Sequence, residues 1–285
     1  MKRDLVIVAC LFLLSASLVC AMIIRPAIIL RIDEDTHTGT FVVTNPVFNY
    51  SFETWIGDLV NDDSPNALTI TNYGATQIVA GVSSFGRTEH AARFDGTNDY
   101  LARSYNAVMS NNVGTLMWWH KLNPPLPATL RSIFCLTKSD VSDNDIFWIR
   151  YVRSGDDLLD LAYRARFTLN NTMQWTIDST NYYGLSYTNW HHFAIVQNGT
   201  NRDFFVDGSQ APQQGATPGG AWFNDMLAVD QFSIGAVLLQ DAPRSGYPTF
   251  DGEIDSFIYF DRWMLQAEIA VIMTNTFPLN NQEYR

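Results

Sequence analysis

The sequence predicts an all-β protein, a two-sheet antiparallel jelly-roll sandwich with an N-terminal transmembrane helix and one short C-terminal helix. Three patterns predict this architecture. From residue 41 onward, short apolar runs with period-two alternation are separated by Gly, Pro, Asn and Asp, which is typical of strands joined by turns. A twenty-residue uncharged run lies near the N-terminus, and Leu265 to Met273 form a single amphipathic helical pattern.

Composition indicates one large folded domain. The chain has 285 residues, of which 47% are hydrophobic and 16% charged, so it can bury a sizeable core. The formal net charge is −11, and clustered Lys or Arg side chains are what nucleic-acid binding requires. Nucleic acid is therefore excluded as an expected partner. Cys10 and Cys20 lie in the N-terminal apolar run and only Cys135 lies in the body, so no disulfide is expected inside the domain.

The N-terminal run, Leu5 to Ile24, follows Lys2 and Arg3. About twenty apolar residues suffice for a helix to cross a bilayer, and the run exceeds the usual 7–15-residue core of a signal peptide. We predict a retained membrane anchor spanning residues 5–24, with the body on the extracytoplasmic side of a cell or virion membrane. The alternative is a cleaved signal peptide, which would make the protein secreted.

The chain divides into three predicted segments. Residues 1–31 form the membrane anchor or signal segment, residues 32–40 a short polar stalk, and residues 41–285 the sandwich domain. Within the domain the strand patterns follow in order at Phe41–Val43, Leu68–Thr71, Thr115–Trp119, Phe147–Tyr151, His192–Val196, Phe204–Val206 and Ile254–Phe260.

Five motifs in the body resemble those of one known family. They are Tyr50–Glu53 followed by Val60–Asn66, the hairpin Ala92–Leu101 (ARFDGTNDYL), the strand Trp190–Val196 (WHHFAIV), the strand end Phe204–Gly208 (FFVDG), and Phe250–Asp255 with Tyr259–Arg262 and Leu265–Ala270. Their order over about residues 45–275 resembles the concanavalin A-like lectin/glucanase superfamily, in particular its laminin-G-like jelly-roll domains. The primary role of the Asp-Gly pairs in these motifs is to form turns, because they supply positive φ angles and a side chain that hydrogen-bonds the turn backbone.

The resemblance implies a calcium site, because laminin-G-like domains often carry this ion on the rim of the sandwich. Hard oxygen ligands in loops suit Ca²⁺. Two clusters offer such ligands: the loop with Asp140, Asp143 and Asp145, and the hairpin with Asp95, Asn98 and Asp99. Neither is a complete binding loop, so solvated acidic loops are the alternative and no cofactor other than Ca²⁺ is expected.

Glycan binding is expected at exposed aromatic faces beside polar groups. The candidates are the aromatic residues with polar, loop-like surroundings: Trp175, Tyr182, Tyr183 and Trp222. Core packing is the alternative for each. Three sequons place candidate N-glycosylation sites at Asn49, Asn170 and Asn198.

Catalysis is not expected. Retaining glycosidases of this superfamily carry alternating acidic residues on one strand, and such sites need two carboxylates about 5–5.5 Å apart. Glu253 and Asp255 fit the first two positions, but the third is Phe257. His191 and His192 are adjacent on a predicted strand and face opposite sides, so they cannot chelate one ion together. One of them is expected beneath the sheet and the other in solvent.

The leading hypothesis is a non-enzymatic, membrane-anchored surface or structural protein. Its sandwich loops would bind neighbouring proteins or glycans and support assembly or adhesion, for example as a component of a cell envelope or of a membrane-containing virion. One alternative is a secreted carbohydrate-binding lectin. The other is a glycoside hydrolase that uses Glu253 and Asp255.

Overall fold

The strands and one helix follow the chain in a simple order. The structure, a computed structural model, describes residues 29–30, 41–42, 45–82, 88–105, 109, 111–124, 130–138, 145–153, 161–169, 172–179, 188–211, 220–226 and 229–276. The strands are β1 (Ile29–Leu30), β2 (Phe41–Val42), β3 (Phe48–Tyr50), β4 (Trp55–Ile56), β5 (Leu59–Val60), β6 (Ile70–Tyr73), β7 (Thr76–Val82), β8 (Thr88–Asp95), β9 (Tyr100–Ser104), β10 (Gly114–Leu122), β11 (Arg131–Thr137), β12 (Ile146–Arg153), β13 (Leu161–Leu169), β14 (Thr172–Ser179), β15 (His191–Gln197), β16 (Arg202–Val206), β17 (Ser209–Gln210), β18 (Gln231–Ile234), β19 (Leu238–Leu239), β20 (Ala242–Pro243) and β21 (Asp251–Phe260). A 3-10 turn spans Phe223–Asp225, and the helix α1 spans Gln266–Thr276.

Two antiparallel sheets form the sandwich. The eight-stranded sheet has the order β17-β16-β15-β10-β21-β8-β7, and β3 also pairs with β21. The nine-stranded sheet has the order β14-β13-β12-β11-β18-β9-β6-β5-β4. The predicted all-β, two-sheet sandwich with one short C-terminal helix is therefore confirmed. Strands that are neighbours in a sheet are often distant in sequence, as a jelly roll requires.

The core between the sheets is a layer of aromatic rings. Phe257 of the eight-stranded sheet lies 5.1 Å from Phe134 of the nine-stranded sheet and 5.9 Å from Trp118, measured between ring centroids. Phe232 packs edge-on against Phe48 at 5.3 Å and Phe134 at 5.0 Å. All five are at most 2% exposed. Such rings bury large apolar areas and favour offset or edge-to-face contacts, so they hold the inner faces together.

A β-bulge in β21 decides which of its side chains enter this core. Asp255 pairs with Trp119 and Ile258 pairs with Met117, so β21 contains one residue more than β10 between these two pairs. Ser256 takes a φ of +48° at this point. A bulge of this kind interrupts the alternation of a strand. Phe257 consequently points inward, and Ile258 takes the outward position that strict period-two alternation had assigned to residue 257.

The outer faces of both sheets are partly covered. Helix α1 packs Ile269 and Ile272 onto the outer face of the eight-stranded sheet, where they join Met117 and Ile258. The segment from residue 235 to residue 250 crosses the outer face of the nine-stranded sheet and contains the β19–β20 hairpin. Val237 of this segment packs on Cys135 and Trp148, and burial raises the pKa of the Cys135 thiol.

The N-terminal part of the chain forms a separate unit. Contacts divide the chain into Met1–Val42 and Val43–Arg285, and β1 pairs with β2 inside the first unit. The predicted anchor at residues 5–24 and stalk at residues 32–40 lie outside the described residues. Among the residues that are described, no helix is both long and apolar enough to span a membrane.

Replacement of Trp118 tests the aromatic layer. Its ring is 0% exposed and stacks on Phe193 at 5.6 Å. Trp118→Ala should lower the free energy of unfolding by about 3–5 kcal/mol, the usual cost of removing a large core ring. Chemical denaturation measures this. Val79→Ala is the control, because Val79 is 62% exposed and should change stability by no more than about 0.5 kcal/mol; equal effects of the two changes would contradict the described core.

Candidate functional site

A cleft of about 180 Å³ opens on the outer face of the nine-stranded sheet. Alternation along β9 and β18 creates it: Leu101 and Phe232 belong to the core, so their neighbours Tyr100, Ala102 and Gln231 face outward. The segment that covers this face supplies the opposite wall. The cleft is lined by Thr71, Tyr73, Ala102, Arg103, Ser104, Asp230, Gln231, Leu238 and Asp241.

Tyr73 lines one side of the cleft, and Tyr100 stacks against it from behind. Tyr73 of β6 pairs with Tyr100 of β9, and their rings stack with centroids 4.6 Å apart and planes 7° apart. Tyr73 is 45% exposed, whereas Tyr100 is 7% exposed. Burial, with smaller contributions from Tyr73 and Asp241, raises the pKa of Tyr100, which keeps its hydroxyl a hydrogen-bond donor. Tyr73 therefore presents an outward ring that is backed by a second ring.

The other side of the cleft is the tip of the β19–β20 hairpin. Leu239 pairs with Ala242, so the turn consists of Gln240 and Asp241, with φ angles of +51° and +62°. Positive φ at both positions defines a type I′ turn, which favours Asn and Gly. Asp is among the residues that tolerate this conformation, whereas Gln is not, and Gln240 adopts a positive φ at a cost of about 1–2 kcal/mol. The turn is thus strained.

Two hydrogen bonds fasten the strained tip to the sheet. The Tyr100 hydroxyl donates to the Asp241 carbonyl oxygen at 3.2 Å. Gln231 Nε2 donates to Asp241 Oδ1 at 2.5 Å. Because a carboxylate only accepts hydrogen bonds, this contact fixes the orientation of the Gln231 amide. Backbone strain that its surroundings hold in place is a recurrent property of binding sites.

Gln231 also has an acceptor that is not used by the described protein groups. The residue is 5% exposed, and within the described ranges its Oε1 has no hydrogen-bond partner. A buried polar atom without a partner is costly.

The hairpin predicted to bind calcium is held by its own hydrogen bonds. Asp95 Oδ1 accepts from the Thr97 N–H at 2.8 Å, and Asp99 Oδ2 accepts from the Asp95 N–H at 3.0 Å. Asn98 is exposed and Asp99 is buried, and burial raises the pKa of Asp99. No group of three or more His, Cys, Asp or Glu suited to a metal ion occurs in the described part of the chain. These carboxylates act in the structure as turn caps.

The second predicted calcium cluster is only partly described. Asp145 is buried directly before β12, whereas Asp140 and Asp143 lie outside the described residues. A calcium site at this loop stays a prediction.

Of the predicted sugar-binding aromatics, Trp222 is the one whose side chain the structure describes. Trp222 is 0% exposed, stacks on Phe223 at 4.2 Å and contacts Phe147 at 5.6 Å. The prediction of Trp222 as a sugar platform is therefore wrong, because its ring belongs to the core. Trp175 pairs with Phe167, and its side chain is outside the described set, as are Tyr182 and Tyr183.

The sequons differ in their surroundings. Asn49 lies in β3 opposite Ile258, and its side chain is half-buried. Asn198 is exposed in the turn between β15 and β16, where its Oδ1 accepts from the Thr200 and Asn201 N–H groups. Asn170 is not among the described residues. Of the two described positions, Asn198 offers the better access for a glycan, and glycosylation stays a prediction.

Glu253 and Asp255 share the outer face of the eight-stranded sheet, as the alternation predicts. Glu253 is 2% exposed, and its carboxylate is held between two cations. Arg93 Nη2 lies 2.6 Å from Oε1, and Lys121 Nζ lies 2.7 Å from Oε2. The Lys121 ammonium also lies 5.2 Å from the centre of the Trp190 ring. This arrangement ties the Glu253 side chain to two neighbouring strands, which is a structural role.

The two adjacent histidines face opposite sides of the eight-stranded sheet. His191 pairs with His120 and His192 pairs with Trp119. Asp207 contacts both: its Oδ2 lies 2.8 Å from His191 Nδ1, and its Oδ1 accepts the His192 backbone N–H at 2.9 Å. His192 is 1% exposed and His191 is 6% exposed. The expectation that one of them is solvated is therefore wrong, because Asp207 and the surrounding rings bury both.

These features define a β-sandwich with an aromatic and polar cleft on one sheet. The chain belongs to the concanavalin A-like lectin/glucanases superfamily, because the profile of its laminin-G-type family matches residues 95–270, more than half of the chain. No curated protein matches it.

Several solved structures have the same fold. Trypanosoma rangeli sialidase in complex with sialic acid is 13% identical with a TM-score of 0.58, over 90% of this chain and 37% of that chain. Domain 4 of the arabinanase AbnA from Geobacillus stearothermophilus, in complex with arabinotriose, is 18% identical with a TM-score of 0.52, over 80% of this chain and 98% of that chain. The binding domain of Paraclostridial Mosquitocidal Protein 1 is 14% identical with a TM-score of 0.56, over 82% of this chain and 52% of that chain. At these identities the likeness shows the fold.

The buried histidines make stability depend on pH. Burial, with a smaller effect of His191, holds the pKa of His120 well below its usual range; burial lowers the pKa of His192 to about 3, against the opposing effect of Asp207. In the unfolded chain both titrate near their model value of 6.5. Below this pH the unfolded state binds more protons, so the free energy of unfolding should fall as pH drops from about 6.5 to 5, by at most about 1.4 kcal/mol per pH unit for each histidine.

The variant His192→Phe removes the contribution of one of these histidines to the pH dependence of the free energy of unfolding. Denaturation at several pH values should show a shallower decline for the variant than for the unchanged chain. Asn198→Ala, in an exposed turn, is the control and should keep the original slope. An unchanged slope in His192→Phe would contradict the neutral, buried state of this ring.

Proposed function

We propose that the protein is a non-enzymatic glycan-binding protein that holds a sugar in the cleft between Tyr73 and the β19–β20 hairpin. The observation that carries the proposal is the exposed Tyr73 ring, backed by Tyr100 and facing polar groups of Gln231 and Asp241. A ligand site is commonly a concave surface with aromatic walls and a few fixed polar groups. A sugar ring suits such a cleft because it has an apolar face and a rim of hydroxyls.

The preorganisation of the cleft supports this proposal. Asp241 is fixed through its side chain and its backbone, so little side-chain freedom is lost when a ligand binds. Tyr73 has only two rotatable side-chain bonds and is already stacked. The fold supports the same proposal more generally, because the superfamily to which the chain belongs includes lectins.

We place this binding domain outside the membrane, on the basis of the apolar residues 5–24 that precede it. Display on the surface of a cell or virion would bring the cleft into contact with glycans. Assembly with neighbouring proteins is the other use of a displayed sandwich.

Replacement of Tyr73 tests the cleft. The full-length chain in detergent is applied to a glycan array, and the affinity for any bound glycan is measured by calorimetry. Tyr73→Ala should weaken binding by at least about tenfold, or ~1.4 kcal/mol, because it removes the outward ring. Tyr73→Phe is the matched control, since it keeps the ring and should keep most of the affinity.

A bound glycan whose affinity does not change in Tyr73→Ala would locate binding elsewhere. Thermal unfolding of each variant checks that the fold is intact.

We also propose that the chain does not hydrolyse glycans. The support is the state of Glu253, whose carboxylate is buried and held by Arg93 and Lys121. Glu253→Gln should leave a screen of polysaccharide hydrolysis at background, as in the unchanged chain, and should lower the free energy of unfolding by about 1–3 kcal/mol because two cations lose their partner. Hydrolysis by the unchanged chain that disappears in Glu253→Gln would establish the glycosidase alternative.

A further inference from the structure

Beyond Tyr73, the outer face of the nine-stranded sheet continues onto two further strands. β5 pairs with β6, β4 pairs with β5, and β4 is the last strand of this sheet. Val60 and Ile70 belong to the core, so the alternate residues Leu59 and Thr71 face outward. Thr71 lines the cleft, and Leu59 is its direct neighbour in the next strand. The face that carries the cleft therefore extends over β5 and β4.

Three apolar side chains on this part of the sheet form an exposed apolar strip: Ile56 is 68% exposed, Leu59 48% and Tyr73 45%. Ile56 pairs with Leu59, Leu59 with Thr71, and Thr71 with Ala102 of the cleft. Directly paired residues share one face of a sheet, so these four form a row across the outer face. Three strand spacings separate its ends, which is about 14 Å. A single sugar ring is shorter than this row.

The hairpin between β4 and β5 is fastened to its surroundings. The Asn72 N–H donates to the Asp58 carbonyl oxygen at 2.7 Å, which ties the turn to β6. Trp55 Nε1 donates to the Gly57 carbonyl oxygen at 3.0 Å, and the Trp55 side chain packs against the core. Both turn residues are thus held in place. A ligand that packs on the apolar strip meets a fixed backbone, so little ordering of the protein is needed.

The size of the apolar strip suits a small ligand better than a protein. A tyrosine side chain that is about half exposed offers roughly 100 Å², so the three side chains together offer on the order of 300 Å². A stable protein interface needs about 800 Å² on each partner. Within the described ranges the strip ends at the sheet edge on one side, and the segment from residue 235 to residue 250 covers the sheet beyond the cleft on the other.

We propose that the sugar site extends from the cleft over Leu59 and Ile56, and that its ligand is an oligosaccharide rather than a single sugar. The inference rests on the proposed function and specifies its ligand class. One sugar unit lies in the cleft beside Tyr73, and the following units place their apolar faces on Leu59 and Ile56 while their hydroxyls stay in water. Burial of these two side chains makes affinity grow with the length of the sugar chain.

The dependence of affinity on sugar length tests the proposal. The full-length chain in detergent is titrated with neutral gluco-, galacto-, manno- and arabino-oligosaccharides, each from the monosaccharide to the hexasaccharide. Calorimetry measures the longer sugars, and saturation-transfer NMR follows the weaker monosaccharides. In a series that binds, affinity should rise at least about tenfold up to the length that covers about 14 Å and then level off. An affinity that is the same at every length would overturn the inference.

Two variants test the apolar strip itself. Leu59→Ser and Ile56→Ser each remove an exposed apolar side chain, so each should weaken binding of the longer sugars by about threefold to tenfold and leave monosaccharide binding unchanged. Val79→Ser is the matched control, because Val79 is an aliphatic residue of the other sheet with 62% exposure; it should change neither affinity. Thermal unfolding of each variant checks that the fold is intact.

The outcomes separate the inference from the proposed function. If a sugar series binds and Tyr73→Ala weakens it, but Leu59→Ser and Ile56→Ser change nothing, the cleft is a glycan site and the inference is wrong. If no series binds, the proposed function fails and the inference fails with it. Light scattering covers the remaining occupant: if the chain self-associates and Leu59→Ser separates the copies, the apolar strip is a contact between copies and the inference is again wrong.

Discussion

The packing of aromatic rings between the two sheets is the interaction on which the rest of the structure depends. Phe257, Phe134, Phe232 and Trp118 occupy the space that joins the inner faces, and at native packing density such a layer leaves little room for polar chemistry. The polar side chains that could bind a ligand or react therefore lie mostly on the outer faces of the sheets or at the rim. Glu253 and Asp255 lie on one outer face, and the cleft with Gln231 and Asp241 lies on the other. The bulge at Ser256 contributes to the aromatic layer, because it turns Phe257 inward.

Much of the fold could be predicted from the sequence. The Asp-Gly turns and alternating strands are local patterns, and β10, β15 and β21 all contain the predicted runs. The bulge could not be predicted, because Ser256 has no local property that demands a positive φ. Trp222 was assigned to a loop surface because a Gly-rich stretch precedes it and Asn224 and Asp225 follow it. Its burial depends on Phe147, which is distant in sequence and packs against its ring.

The cleft was less predictable than the fold. Tyr100 and Asp241 are 141 residues apart, and no sequence spacing indicates that they meet. Tyr73 precedes a glycine at the end of a strand, which was a usable sign of an exposed aromatic residue. The hairpin tip carried no such sign, because Gln240–Asp241 lacks the Asn-Gly pair that normally marks a type I′ turn. Asp95 and Asp99, two of the residues predicted to bind calcium, accept hydrogen bonds from backbone amides of their own hairpin, because Asp-rich turns serve backbone amides as readily as cations. Calcium binding stays a prediction.

The hairpin tip also sets a limit on how this protein can be made more robust. Replacing Gln240–Asp241 with Asn-Gly would relieve the backbone strain of this turn, which is the kind of change that usually raises thermal stability. It would also remove the carboxylate that Gln231 holds in the cleft. Selection or engineering for heat resistance alone would therefore remove a carboxylate of the proposed sugar-binding cleft, so at this turn greater stability would come at the expense of the proposed recognition.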